Sequence, residues 1–254
     1  MRNICITIAY DGTDYSGWQR QRSRPTIQQA VEEALFEITG AAATLHASGR
    51  TDAGVHALGQ VAHFLTAATH DPATFVKALN ATLPGDIRIL AAREMPESFH
   101  ATVDATSKMY RYVIDNGRVA DAFSRRYAWH VFRLLDADAM RAAAQALVGR
   151  HDFRSFETDW PNRMSSVRTV ASVNVERAGD AIRVEVEADG FLYNMVRAIA
   201  GTLTLVGKGK WPVERVAAAL AAQDRREAGP TAPAQGLFLV RVVYPAHLFQ
   251  REDL

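Results

Sequence analysis

The residues best suited to chemistry lie in one short segment of the sequence, SGRTDAGVHA at positions 48–57. It combines a carboxylate, Asp52, and a guanidinium, Arg50, with two glycines, and it separates two predicted strands. A loop held by rigid neighbours often presents reactive groups, and a carboxylate there can act as a nucleophile or a base. The same residues also suit an ordinary turn, because Asp52 can bond to its own backbone and Gly54 can adopt a positive φ. Spacing alone therefore leaves an active-site loop and a structural turn both open.

The elements that must position this segment follow the order β-α-β-β-α-β. Apolar residues at helical spacing followed by Gly40 indicate the first helix, and Asp71 followed by Pro72 marks the start of the second. Alternating apolar residues indicate the strands. The predicted strands are residues 3–10, 44–48, 60–66 and 86–95, and the predicted helices are residues 26–38 and 71–82.

The second half of the sequence repeats this order of elements. Its predicted strands are residues 104–115, 167–177, 181–188 and 236–244, and its predicted helical segments are residues 136–147, 191–206 and 212–222. A β-α-β-β-α-β order is the ferredoxin-like plan. The sequence therefore predicts an α+β fold with two ferredoxin-like halves, residues 1–103 and 104–254, joined into a largely antiparallel sheet with helices on one face and a central cleft.

The overall composition is that of a folded chain without a membrane segment. The chain has 254 residues, 48% of them hydrophobic and 22% charged, and a net charge of +1. No apolar run reaches the roughly 18 residues that a membrane helix needs, and the alternating N-terminus differs from a signal peptide, so we expect a cytoplasmic protein. The single cysteine, Cys5, lies in an alternating strand and is expected to be a buried structural thiol. The small net charge does not by itself indicate a nucleic-acid partner.

Six segments of the sequence match, in order, motifs of one enzyme family. They are AYDGTDYSGWQ at 9–19, SGRTDAGVHA at 48–57, QVAHF at 60–64, KMYRY at 108–112, FLYNMVR at 191–197 and APAQGLFL at 232–239. By these motifs the chain resembles the tRNA pseudouridine synthase A family from about residue 3 to residue 245. Such ordered matches favour the active-site interpretation of Asp52 over the turn alone. The resemblance also implies that the central cleft binds RNA.

The resemblance implies that Asp52 is the catalytic aspartate of a uridine-to-pseudouridine isomerisation. In this reaction the base leaves C1′ through N1, turns, and rejoins through C5, so no atom is gained or lost. A carboxylate can attack C6 of the uracil ring or C1′ of the ribose, or act first as a base on the sugar, and sequence leaves these routes open. None of them needs a cofactor. The family's substrates are implied to be positions 38, 39 and 40 of the tRNA anticodon stem-loop.

Three further residues are implied to bind the substrate. Tyr110 matches a family tyrosine that packs on the target base and whose hydroxyl can assist loss of the C5 proton. Its strand neighbour Tyr112 shares the same face by period two, so one of the two can be a core residue. Arg197 matches an arginine that pairs with the catalytic aspartate, the alternative being an exposed helix arginine. Arg50 is placed to contact the extruded nucleotide, the alternative being a residue that braces the loop.

Other basic residues are candidates for tRNA backbone contacts, with ordinary solvated surface as the alternative. They are Arg20, Arg22, Arg24, Arg125, Arg126, Lys208 and Lys210.

Other interpretations are weaker. The segment GTLTLVGKG at 201–209 has the wrong spacing for a phosphate-binding P-loop, and the scattered histidines, including His56, predict no metal site. A catalytically silent RNA-binding protein on the same scaffold is the main alternative, and it would be indicated by loss of Asp52 or Tyr110, both of which are present. An aspartate-dependent phosphoryl transferase would need metal-binding carboxylates. The expected partners are tRNA and a second copy of the chain, without a membrane or a small-molecule cofactor.

Overall fold

The computed structural model describes residues 1–158 and 165–248. The chain divides into two compact units, Met1–Thr106 with Phe238–Leu254, and Ser107–Leu237. The predicted half at 104–254 includes residues 159–164 and 249–254, which lie outside the described part of the chain.

The described residues form ten strands and five α-helices. The strands are β1 (Arg2–Tyr10), β2 (His46–Ala47), β3 (His56–Thr66), β4 (Ile87–Met95), β5 (Ser107–Asp115), β6 (Trp129–His130), β7 (Gly149–Asp152), β8 (Val167–Ala178), β9 (Ala181–Ala188) and β10 (Leu237–Val243). The helices are α1 (Ile27–Thr39), α2 (Pro72–Thr82), α3 (Ala137–Ala144), α4 (Met195–Gly207) and α5 (Arg215–Ala222).

The sheet of the first unit has the order β4-β1-β3-β10, with β2 beside β3. β1 runs antiparallel to both β3 and β4, whereas β10 joins β3 in parallel, with Phe238 opposite His56. The last strand thus belongs with the first unit, although it lies in the second half of the sequence. The division of this chain into ferredoxin-like halves at 1–103 and 104–254 remains a prediction.

The helices of the first unit begin and end where local chemistry predicts. The hydroxyl of Thr26 accepts a hydrogen bond from the backbone N–H of Gln29 at the start of α1, and Gly40 ends the helix with a φ of 69°. Asp71 caps α2 in the same way, and Pro72 follows it at the first helical position. α2 packs against α1 and β4. The capping residues therefore set the helices that cover this sheet.

The sheet of the second unit has the order β5-β9-β8-β7, with β6 in parallel beside β5. The other pairs are antiparallel. α3 packs against β8, α4 and α5. The α+β class and the mainly antiparallel pairing are therefore confirmed.

The second unit differs from the sequence prediction at four places. The short strands β6 and β7 were not predicted. The segment expected to be helical from residue 191 becomes helical only at Met195, because Asn194 has a φ of 62°, a left-handed conformation that a right-handed helix cannot contain. The predicted helix at 136–147 tightens into a 3₁₀ turn over Gln145–Leu147.

The thiol of Cys5 is buried, as expected of a structural cysteine. Burial raises the pKa of Cys5 to about 12, because the thiolate would lose its hydration. The thiol therefore stays protonated and unreactive near neutral pH.

Within residues 1–158 and 165–248, no helix has both the length and the apolar character needed to cross a lipid bilayer.

Candidate active site

The Asp52 loop, residues 48–55, is tied to β3 at its first residues. The hydroxyl of Ser48 donates a 2.7 Å hydrogen bond to Oε1 of Gln60, and Nε2 of Gln60 donates to the carbonyl oxygen of Gly49 at 2.9 Å. The backbone N–H of Ser48 donates to the carbonyl of Val61 at 2.7 Å. Ser48 and Gln60 are both fully buried. A buried polar pair of this kind fixes the entry of the loop, because breaking it would leave unpaired polar groups in the core.

The middle of the Asp52 loop is held from the side of β1. The hydroxyls of Tyr10 and Thr51 lie 2.7 Å apart, and the backbone N–H of Trp18 donates to the carbonyl of Thr51 at 2.9 Å. Burial raises the pKa of Tyr10 to about 12, so its hydroxyl keeps its proton for this contact. These contacts fix the position of the backbone directly before Asp52.

Asp52 itself opens a tight turn. Its carbonyl accepts a hydrogen bond from the backbone N–H of Val55 at 3.1 Å, and Gly54 has a φ of 75°. The side chain of Asp52 is half-buried, between the buried Thr51 and the exposed Ala53. The turn predicted from sequence is therefore present, and it presents the carboxylate from a braced loop. The structural-turn interpretation and the active-site interpretation of Asp52 are therefore compatible.

Two glycines of the preceding segment let the backbone approach the Asp52 loop closely. A Cβ on Gly12 would lie 2.0 Å from the carbonyl oxygen of Val55, and a Cβ on Gly17 would lie 2.6 Å from that of Thr51. Gly17 also has a φ of 87°. The segment at 9–19 thus acts as the support of the Asp52 loop, a role that its sequence alone did not reveal.

His56 is a supporting residue next to this loop. Its Nδ1 lies 3.0 Å from the backbone nitrogen of Gly12 and 3.1 Å from Oδ1 of Asp11. These two contacts compete for one ring nitrogen. We assign Nδ1 as the acceptor from Gly12, because that contact has hydrogen-bond geometry, whereas the Asp11 contact is an ion pair only if the ring is protonated. The ring is buried and stacks on Phe238 at 4.7 Å, which fits a structural role.

The two tyrosines of β5 lie in the second unit and have different surroundings. Tyr112 is fully buried and its hydroxyl donates to the carbonyl of Pro233 at 2.7 Å, so it is a core residue, and burial raises its pKa. Tyr110 is 8% exposed and meets the ring of Phe191 edge to face, with centroids 4.9 Å apart. The contact with Phe191, itself part of a predicted motif, holds the plane of the Tyr110 ring.

Arg197 is anchored within the second unit on two sides. Its Nε donates to the carbonyl of Ala232 at 2.7 Å and its Nη1 donates to Oδ1 of Asn194 at 2.6 Å. Asn194 also donates to the hydroxyl of Thr158 at 3.0 Å. The side chain is partly buried, so Arg197 is not an exposed helix arginine. Its pairing with Asp52 stays a prediction.

The predicted site residues are thus found in both units. Arg50 and Asp52 share one loop of the first unit, where Arg50 is exposed. Tyr110 and Arg197 lie on β5 and α4 of the second unit. The residues that sequence reasoning missed are Ser48, Gln60 and the two supporting glycines, which lie inside the matched motifs or next to them.

The basic residues predicted to contact the tRNA backbone differ in the contacts that they make within the protein. Arg20 is paired with Glu32 at 2.9 Å and Glu33 at 3.6 Å, which reduces its free charge. Arg125 donates to the carbonyl of Ala122 at 2.7 Å. Nζ of Lys208 lies 5.6 Å above the ring of Trp129. The remaining candidates are exposed: Arg22, Arg24, Arg126 and Lys210.

In the part of the chain that the structure describes, no group of three or more His, Cys, Asp or Glu side chains is arranged to hold a metal ion. The cofactor-free mechanism remains a prediction.

Comparison with known proteins gives one family. The family model described as tRNA pseudouridine synthase matches residues 6–104 and 143–245, which together are most of the chain. A tRNA pseudouridine synthase A of Rhodospirillum rubrum is 48% identical over 94% of this chain and 87% of its own length. A tRNA pseudouridine synthase A of Brevibacillus brevis is 49% identical over 96% of this chain and all of its own length, and one of a Thermoanaerobacter species is 43% identical over the same shares.

These similarities define an enzyme of the isomerase class. The chain belongs to the tRNA pseudouridine synthase A family. One solved structure, titled as a Cbf5-Nop10-Gar1 complex, overlays on 97% of this chain and 50% of its own chain with a TM-score of 0.37 and 13% identity, and we infer nothing from it.

Proposed function

We propose that this protein converts uridine to pseudouridine at positions 38, 39 and 40 of the tRNA anticodon stem-loop, with Asp52 as nucleophile and without a cofactor. Membership of the family implies uridine isomerisation in tRNA. The observation that supports the finer proposal is the Asp52 loop, which hydrogen bonds brace at its entry and in its middle and which leaves the carboxylate half-buried. A nucleophile on a pre-positioned loop needs little reorganisation when the substrate arrives.

The proposed reaction balances without any added reactant. The N1–C1′ bond breaks, a C5–C1′ bond forms, C5 loses a proton and N1 gains one. Asp52 bonds transiently to C6 of the base or to C1′ of the ribose and is released when the new bond is complete. A guanidinium from Arg197, paired with Asp52, would keep the carboxylate ionised.

Recognition is proposed to rest on the shape and the phosphates of the stem-loop. One site that reaches three neighbouring positions cannot depend on one base sequence, and proteins read structured RNA mostly by shape and backbone. The target uridine would be extruded from the stem before reaction. We also propose a cytoplasmic homodimer.

The direct test is to map pseudouridine in unmodified tRNA after incubation with the pure protein alone. Mass spectrometry should find the product at positions 38, 39 or 40. A short anticodon stem-loop in monovalent salt with a chelator should react as well, because no metal takes part. Binding of tRNA with no product at any position would instead support the silent RNA-binding alternative.

Tyr110→Phe should lower kcat by about 100-fold or more, since it removes a hydroxyl proposed to assist proton loss from C5 while keeping the ring. The affinity for tRNA should change little. Tyr112→Phe is the matched control on the same strand. It removes the bond to Pro233, so it should cost about 1 kcal/mol of unfolding free energy and leave kcat near wild type. Equal kcat in Tyr110→Phe and wild type would remove the hydroxyl from the mechanism.

Arg50→Ala should slow turnover by about 10- to 100-fold, the worth of one charge-assisted contact to the extruded nucleotide. Its melting temperature should stay unchanged, because the side chain is exposed. Arg150→Ala, which removes an exposed arginine of β7, serves as the charge control. A lowered melting temperature with normal turnover in Arg50→Ala would show that this arginine braces the loop instead.

A further inference from the structure

The second unit contains a cavity of about 870 Å³ next to the end of α4. Val206 and Trp211 contribute to its apolar wall, and Arg133, Lys208 and Lys210 also line it. A volume of this size can hold a nucleotide-sized group. The cavity contains neither Tyr110 nor Arg197, so it is separate from the residues of this unit proposed for the chemistry.

The charges around this cavity are unbalanced. Three cations line it against one carboxylate, that of Asp136. Asp136 is engaged as the cap of α3, accepting hydrogen bonds from the backbone N–H groups of Asp138 and Ala139 at 3.0 and 2.9 Å. Among residues 1–158 and 165–248, no carboxylate forms a salt bridge with Arg133, Lys208 or Lys210. A polyanion would relieve this excess of positive charge.

The three cations are close enough to affect one another. Burial is the main cause that lowers the pKa of Lys208, and the charges of Lys210 and Arg133 lower it further. Like charges are thus held together by the fold, with Lys208 and Lys210 on either side of Gly209 at the end of α4. Arrays of this kind bind successive phosphates well, because each cation can neutralise one of them.

Two exposed apolar residues adjoin one of these cations in the sequence. Phe132 and Leu134 are 72% and 75% exposed and flank Arg133 in the sequence. An exposed aromatic ring next to cations is typical of surfaces on which nucleobases stack while the cations contact the backbone. A purely acidic protein partner would make no use of the ring of Phe132.

We propose that this cavity is an auxiliary RNA-binding site, in which Arg133, Lys208 and Lys210 hold backbone phosphates of tRNA and Phe132 supports an adjacent base. The inference rests on the proposed function, because it takes tRNA as the RNA that binds. Contacts of this kind contribute affinity and register rather than chemistry.

The test is the affinity of the full-length protein for unmodified tRNA, measured by fluorescence anisotropy from 50 to 200 mM salt. The double variant Lys208→Ala, Lys210→Ala should bind about 10-fold or more weakly at 100 mM salt. Its plot of log affinity against log salt concentration should be shallower by roughly 1.4 to 1.8, since two phosphate contacts are lost. Lys77→Ala, which removes an exposed lysine of the first unit, should retain the wild-type affinity and slope.

Two further measurements keep the outcome decisive. Lys208 contacts Trp129, so if the double variant is less stable, Arg133→Ala takes its place, because that side chain is exposed and should flatten the slope by about 0.7 to 0.9. Wild-type affinity for tRNA and a wild-type salt slope in these variants would overturn the proposal. If the variants also lost self-association while their affinity for tRNA was unchanged, the surface would be a protein interface.

Pseudouridine formation by the wild type is measured separately. If the wild type forms pseudouridine and the variants bind tRNA normally, only this site is refuted. If the variants lose tRNA binding and the wild type forms no pseudouridine, only the proposed function is refuted.

Discussion

Replacing Asp52 by asparagine is expected to abolish pseudouridine formation, a loss of about 6 to 9 kcal/mol of transition-state stabilisation by analogy with other covalent nucleophiles. This corresponds to roughly four to seven powers of ten in rate. The amide has nearly the shape of the carboxylate but cannot attack carbon. Single-turnover assays with excess enzyme give the rate, and tRNA binding should remain nearly intact.

A matched control shows whether the loss of activity depends on the position of Asp52 or only on the removal of one negative charge. Glu97→Gln removes an exposed carboxylate of the same unit and should leave turnover unchanged. The melting temperature of Asp52→Asn should stay close to wild type, because asparagine keeps the size of the side chain and the hydrogen bonds of Ser48, Gln60 and Tyr10 that brace the loop do not use the carboxylate. Activity retained in Asp52→Asn would refute the assignment of the nucleophile.

Gly17→Ala is expected to have the second largest combined effect on folding and turnover, because it displaces the Asp52 loop while leaving every side chain of that loop unchanged. The new Cβ would lie 2.6 Å from the carbonyl oxygen of Thr51, and the φ of 87° is strained for alanine. Overpacking and strain together should cost about 2 to 4 kcal/mol of unfolding free energy. A shift of the loop by about 1 Å should lower kcat about 100-fold at a temperature where the variant is folded.

Gly40→Ala separates backbone strain from the clash. Gly40 has a φ of 69°, and nothing lies within 4 Å of its Cβ position. It should therefore cost only about 1 to 2 kcal/mol and leave turnover unchanged. Denaturant unfolding and initial rates of both variants give the comparison. Equal kcat in Gly17→Ala and Gly40→Ala would mean that the 9–19 segment does not position the Asp52 loop.

Local chemistry explains why many elements could be predicted from the sequence. The alternation of Ile4, Ile6 and Ile8 predicts β1, and the structure buries all three residues. The capping residues Thr26 and Asp71 start α1 and α2 within a residue of the predicted bounds. These signals act over a few neighbouring residues, so they can be read without knowing the rest of the fold. The family motifs, which are also short, made Asp52 the candidate catalytic residue.

Elements of few residues were missed for a related reason. β6 has two residues and β7 has four, which is too short for a periodic pattern to show. Each exists because another strand offers hydrogen-bonding partners, as Ile114 of β5 does for Trp129. Similarly, no local pattern marks Asn194 as the left-handed residue before α4.

The sequence by itself determined the family and the order of most elements, and it made Asp52 the candidate for the reactive residue, because residue types, periodicity and capping act locally. Only the tertiary structure decided that β10 returns to pair with β3, that Gln60 secures the entry of the Asp52 loop, and that Gly12 and Gly17 lie against its backbone. These contacts join residues far apart in the chain. Strand pairing and close backbone approach depend on where the whole chain places its segments, which no short stretch of sequence specifies.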